Sequence, residues 1–180
     1  MEVKNKLKAI GIVGSPRKEG NSAYLTQQVL QALDEKYETE LISLKDLDIN
    51  PCESCFTCQQ EGVCIIEDDM QELYKKIQDA SVLILASPVH MGGITSRMRM
   101  FMERMWHLRK GQLKGIIGSY IIVGRRDLGV AVNEMEEFLS RLKALKIAGI
   151  MAFGVKKGAV KEDQEALENV KRVCSQILSL

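Results

Sequence analysis

The sequence predicts an α/β fold, with a five-stranded parallel sheet covered by helices on both faces, in a single domain over residues 1–180. Three observations carry that prediction. Short apolar runs alternate with amphipathic stretches along the chain, the pattern of strands joined by crossover helices. The run "SVLILAS" is continuously apolar, as a strand buried on both faces must be. No internal repeat or interdomain linker breaks the alternation, and 180 residues suit one core.

The elements follow in order. "KAIGIVG" (Lys8 to Gly14) reads as a buried first strand ending in glycine. Asn21 and Ser22 are expected to cap a helix with Leu25, Val29 and Ala32 or Leu33 on one stripe. "ETELISL" alternates as a second strand. In "EDDMQELYKKIQDA" an acidic start suits a helix amino terminus, and Met70, Leu73 and Ile77 share a face. "SVLILAS" is the central strand, stopped by Pro88. A helix from Thr95 to Leu108 places Met98, Phe101 or Met102, Met105 and Leu108 on a core stripe. Met100 and Trp106 fall partly off that stripe and predict a subunit interface. "SYIIVG" is the fourth strand, followed by a helix bearing Met135, Phe138, Leu142 and Leu145. "AGIMAFGV" is the last strand, and the final helix carries Ala166, Val170, Val173 and Ile177. Cys174 lies on that apolar face as a small buried hydrophobe.

Composition removes several function classes. Hydrophobic residues make up 46% and charged residues 27%, as in soluble globular proteins. A net charge of +1 offers nothing to nucleic acid or an anionic membrane. The apolar runs are too short to span a bilayer. The start "MEVKNKLKAIGIVGS" lacks a signal-peptide core, so a cytoplasmic location is expected. In that reducing compartment disulfides are disfavoured.

Two segments carry the chemistry. "GSPRKEGNS" (Gly14 to Ser22) joins the first strand to the first helix. A helix amino terminus offers unpaired N–H groups and a positive dipole end to phosphate. Ser15, Asn21 and Ser22 add short donors, Arg17 adds charge, and Gly20 supplies backbone freedom. The stretch matches neither a Walker A loop nor G-x-G-x-x-G. Its local chemistry leaves a phosphate site and an ordinary strand-to-helix turn both open.

The second segment is the irregular stretch from about 45 to 67. Cys52, Cys55, Cys58 and Cys64 follow C-x2-C-x2-C-x5-C. Two-residue spacers let successive thiolates turn toward one centre, as in bacterial ferredoxin runs, and Gly62 allows Cys64 to return to it. Zinc also accepts four thiolates, although its structural sites usually come as two separated knuckles. A thioredoxin-like dithiol is disfavoured, since Pro51 opens a loop rather than a helix. A cluster, zinc, and thiols without any metal remain open on spacing alone.

Together these stretches resemble the flavodoxin-like NAD(P)H-dependent FMN reductase family. "GSPRKEGNS" resembles its phosphate loop, "ASPVHMGGITSRMRMFMERM" its second flavin loop and following helix, and "VGRRDLG" falls where its third loop lies. "PCESCFTCQQEGVCIIEDDM" is similar to the cysteine segment of its iron–sulfur flavoprotein branch. The resemblance implies strand order 2-1-3-4-5 and FMN at the carboxyl ends of the strands. It implies that Ser15, Arg17, Gly20, Asn21 and Ser22 hold the phosphate. Ser87, Pro88, Val89, His90, Met91 and Gly92 would surround the ring, with Gly124 and Arg125 beside them. His90 stands where the family has an aromatic residue, and Gly124–Gly129 departs from its consecutive glycines.

The reading is therefore an FMN-dependent electron-transfer flavoprotein whose four clustered cysteines ligate a [4Fe–4S] cluster. Its catalytic chemistry would rest with the cofactors and not with a side-chain triad. NAD(P)H, a quinone or ferredoxin would be its redox partner, and a homodimer or homotetramer its assembly. The alternatives are a cluster-free NAD(P)H-dependent FMN or quinone reductase and a zinc-stabilised, non-catalytic scaffold.

Overall fold

The computed structural model describes residues 6–180; residues 1–5, where the reading of the amino terminus begins, lie outside them. The elements run β1 (Leu7–Val13), α1 (Asn21–Leu33), β2 (Tyr37–Ser43), α2 (Thr57–Glu61), α3 (Met70–Gln78), β3 (Val82–Pro88) and α4 (Ser96–Arg104). They continue with β4 (Ile117–Gly124), α5 (Gly129–Arg141), β5 (Leu145–Lys146), β6 (Ile150–Phe153) and α6 (Gln164–Ser179). Every strand pairing is parallel, and the order is β2-β1-β3-β4-β5, with β6 also on β4. This is the flavodoxin-like order.

The pleat sorts side chains between two cores. Leu83 and Leu85 face α3, α4 and α5 with Ile10, Ile12 and Ile122. Val82, Ile84 and Ala86 face α1 and α6 with Ala9, Val13 and Ile121. Cys174 is buried in the second core, and burial pushes its thiol up to about 11, which keeps it neutral.

The structure corrects four expectations. The fifth sheet position is shared by two short strands, β5 on the start of β4 and β6 on its end. Between them Ser119 Oγ donates to Ala148 O at 2.7 Å, satisfying a carbonyl where the ladder lapses. Leu145 is not on the α5 stripe, because Lys143 adopts φ 58° and the chain leaves the helix. The helix from Thr95 is α-helical only to Arg104 and continues as a 3-10 turn over Met105–Lys110, with its stripe still buried. Thr95 does cap α4, its Oγ1 accepting from Met98 N at 3.3 Å, but the cap residue of α1 is Gly20, not Asn21 or Ser22. Among the described residues no helix is long and apolar enough to cross a membrane.

Candidate functional site

Two cavities carry the residues singled out in the sequence. The first is a cleft of about 290 Å³ at the carboxyl ends of β1, β3, β4 and β6. Ser15, Pro16, Arg17, Gly20, Asn21 and Ser22 form one wall, from the loop after β1 and the start of α1. Pro88, Val89 and His90 form a second, and Val123, Gly124 and Arg125 a third. The crevice beyond the strand ends is where open parallel sheets bind ligands.

Asn21 has a different task from capping. Its Nδ2 donates to Lys156 O at 3.0 Å and Gly154 O at 3.4 Å, and its Oδ1 accepts from Gly158 N at 2.8 Å. The amide thus ties α1 to the loop after β6, and that loop supplies a fourth wall, Gly154 and Val155. No side chain caps α1, so its first-turn N–H groups are left for a ligand. Ser15 is buried and its Oγ accepts from Arg17 N at 3.1 Å, which leaves its proton free to donate.

Gly20 is extended (φ −82°, ψ 172°), so conformational freedom is not what requires glycine there. Room is the reason, because a Cβ would sit 3.0 Å from Ser15 Oγ and 3.3 Å from Arg17 O. At Gly124 a Cβ would lie 2.5 Å from Leu128 and 3.1 Å from Val89, closing the second and third walls on each other. Gly124→Val is therefore expected to destabilise the fold by about 1–3 kcal/mol, read by urea unfolding.

Three expected ring contacts fall outside this cleft. Ser87 is fully buried, with its Oγ accepting from Thr95 N at 3.1 Å and donating to Pro88 O at 2.9 Å. That hydroxyl holds the second wall in shape from behind. His90 and Gly93 exchange backbone hydrogen bonds (2.9 and 3.2 Å), closing a tight turn with Met91 (φ 50°) and Gly92 (φ 88°) at its tip. Met91 is fully exposed there, away from the lining.

The second cavity, about 490 Å³, is lined by all four clustered cysteines. Glu53, Ser54, Phe56, Ile65 and Ile66 complete the segment's side, and Glu103, Arg104, Trp106 and His107 close it from the end of α4 and the following turn. The predicted irregular segment contains a helix, α2, entered through Phe56 at φ 60° and left through Gly62 at φ 77°. Ser54 is also left-handed (φ 53°). Two left-handed non-glycine residues in one short segment are the kind of backbone strain that collects at functional sites.

All four thiols are free. Burial pushes the Cys58 thiol up, and the neighbouring Cys64, Cys52 and Cys55 push it further, as thiols around a common space do. Hydrogen bonding from Thr57 lowers that of exposed Cys55. An all-sulfur donor set fits an iron–sulfur cluster or zinc. Among the described residues no group of three or more His, Cys, Asp or Glu converges closely enough to hold a metal ion.

A buried ion pair underlies the cysteine segment. The side chains of Arg104 and Asp68 are 0% and 1% exposed, and Arg104 Nη1 and Nη2 both bond the carboxylate, Nη2 at 3.0 Å. Burial opposes ionisation of Asp68, but Arg104 and the N–H groups of Asn50 and Met70 outweigh it and hold the carboxyl below its usual range. An ionised Asp68 is thus favoured in the folded state. Its stabilisation is present above the unfolded value of about 3.9 and is lost as pH falls through the lower folded value. Thermal unfolding followed between pH 5 and 2 should show that loss, and Asp68→Asn should flatten it.

The sequence signal for Arg104 was present but unread: a charged residue beside the buried stripe of a helix needs a buried partner. Gly154 and Val155 had no comparable signal.

A flavodoxin-like sheet with a helix amino terminus and three further loops around one crevice defines an α/β protein that can hold a ligand beyond its strand ends. The profile of the NADPH-dependent FMN reductase family matches residues 7–158, and the chain belongs to that family, which places it among flavin-dependent oxidoreductases. An iron–sulfur flavoprotein of Methanocaldococcus jannaschii is 46% identical over 120 residues, 66% of this chain and 62% of that protein, so the match spans less than two thirds of that relative. An iron–sulfur flavoprotein of Archaeoglobus fulgidus is 35% identical over 178 residues, covering 95% of this chain and 79% of the relative. The Trp repressor binding protein of Bacillus subtilis shares the fold, with TM-score 0.70 and 20% identity over 92% of this chain and 98% of that one.

Proposed function

We propose that this protein is an FMN-dependent electron-transfer oxidoreductase in which Cys52, Cys55, Cys58 and Cys64 ligate a [4Fe–4S] cluster. The observation that carries the reading is that four free thiols, spaced as in cluster-binding runs, line one cavity of a chain in a flavin-reductase family. The names of the archaeal relatives support it. FMN supplies hydride acceptance and single-electron release, and the cluster supplies one-electron exchange.

The chain's own residues do the holding. The N–H groups of the first turn of α1, Ser15 Oγ–H and Arg17 bind the phosphate. Val89, His90, Gly124 and Val155, which line the cleft, would border the ring. Helix α4 links the two cavities. Thr95 at its start donates to Gly14 O at 2.8 Å, beside the phosphate loop, and Arg104 at its end lines the cysteine cavity. Nine residues set those ends roughly 14 Å apart along the helix.

An anaerobic preparation, assayed for FMN, iron, sulfide and zinc together with its visible spectrum, tests the reading. Four irons and one flavin per chain are expected. Zinc with neither iron nor flavin would defeat it, and flavin without iron after reconstitution would favour a cluster-free NAD(P)H-dependent FMN or quinone reductase. Arg17→Ala should weaken FMN binding about tenfold, the order of one solvent-facing charged hydrogen bond. NADH, NADPH and reduced ferredoxin are the donors to compare by anaerobic stopped-flow, with a quinone as acceptor, and sedimentation would test for a homodimer or homotetramer.

A further inference from the structure

Arg104 does more than pair with Asp68. Its Nη1 donates to Asn50 O at 2.8 Å and its Nη2 to Ile66 O at 3.3 Å. Asn50 immediately precedes the segment that holds the four cysteines, and Ile66 lies two residues beyond its last cysteine. Asp68 joins the same knot, its Oδ2 accepting from Asn50 N at 2.9 Å. Gln71 ties the exit from α3, its Nε2 donating to Cys64 O at 2.9 Å and Ile66 O at 2.7 Å. The two ends of the cysteine segment are thus closed onto one buried guanidinium.

These bonds leave a remainder. Arg104 is 2% exposed and lines the cysteine cavity, and its Nε is buried without a hydrogen-bond partner. His107, in the same cavity wall, sets its ring edge-on to Tyr74 at 4.4 Å. Buried polar atoms are almost always satisfied, so an unpartnered guanidinium N–H behind four thiols calls for an acceptor that a group held by them would supply. Arginine stays charged whatever its surroundings, so the unpartnered donor is a cationic one.

We propose that Arg104 is the positioning residue of the cysteine segment: it draws the segment's two ends together and directs its remaining N–H, on Nε, at an anionic sulfur in the cavity. The second part rests on the cluster reading of the cysteines, and the first does not. A charged donor to a cluster sulfur favours the more negative, reduced state and so raises the reduction potential.

The test uses Arg104→Lys, which keeps the charge but not the fork, and the double variant Arg104→Met with Asp68→Asn, which removes the pair without stranding a buried charge. Circular dichroism establishes that each is folded. Limited proteolysis of the iron-free chain reads the clasp, and cleavage between residues 51 and 65 should be roughly tenfold faster in both variants. A redox titration of the reconstituted protein, followed by electron paramagnetic resonance, reads the Nε donor. At the wild-type midpoint the reduced fraction relative to oxidised should fall about tenfold in the double variant, a midpoint about 59 mV lower for a one-electron couple. Arg104→Lys should fall less. Unchanged cleavage in both variants overturns the clasp, and an unchanged potential in the double variant overturns the donor. A wild-type protein that takes up no iron defeats the cluster reading and the donor with it, while the proteolysis still decides the clasp.

Discussion

On the proposed assignment, replacing Cys58 with serine is expected to strip the protein of iron and sulfide, at least tenfold below wild type, while FMN stays at one per chain. Serine keeps the shape of cysteine but not the soft thiolate that an iron–sulfur centre needs. Cys58 is the informative choice because burial and then the other three cysteines push its thiol up. A thiol with a raised pKa must give up its proton to ligate, and loading should therefore improve as pH rises over the neutral to alkaline range. Flavin is expected to remain because the two cavities have no lining residue in common. Full iron retention in Cys58→Ser, or parallel loss of flavin, would count against the assignment.

Arg104→Met is expected to cost about 3–5 kcal/mol, because it leaves the Asp68 carboxylate buried without its partner. For a domain of this size that lowers Tm by roughly 6–20 °C. Changing Asp68 to leucine in the same background should recover most of the loss, since an apolar pair of similar volume removes the stranded charge. Urea unfolding of the single and double variants measures both effects. A single variant as stable as wild type would mean that water reaches Asp68, contrary to its 1% exposure.

The sequence places a subunit interface on the methionine-rich helix. Met100 is half-buried, and Trp106 is 40% exposed with Arg109 stacked 4.0 Å over its ring. An apolar groove runs beside it, lined by Met102, Val130 and Phe138. The assembly itself is left to the sedimentation measurement.

Local pattern alone carried much of the fold, while both candidate sites also needed the family resemblance. Alternation and continuous apolarity located the strands β1, β2, β3, β4 and β6, because pleat and burial impose a period that composition displays directly. The loop that follows β1 was legible because a turn after a buried strand needs glycine, proline and short polar residues, and those after β3 and β4 were read as ligand loops through the family resemblance. The cysteine spacing was legible because a chelate needs its donors close along the chain.

Only the tertiary structure decided the rest. It split the fifth sheet position in two, left Ser87, Met91 and Gly92 off the cleft wall, and tied the Asn21 side chain to the loop after β6. It also brought in Gly154 and Val155, and it placed Arg104 beneath the cysteine segment. Asn21 reaches Gly154 across 133 positions, and Arg104 reaches Asp68 across 36. Contacts at such separations leave no period or spacing in a single sequence. They exist only once the sheet has brought the strand ends together, and their energy depends on a burial that the packed structure alone determines.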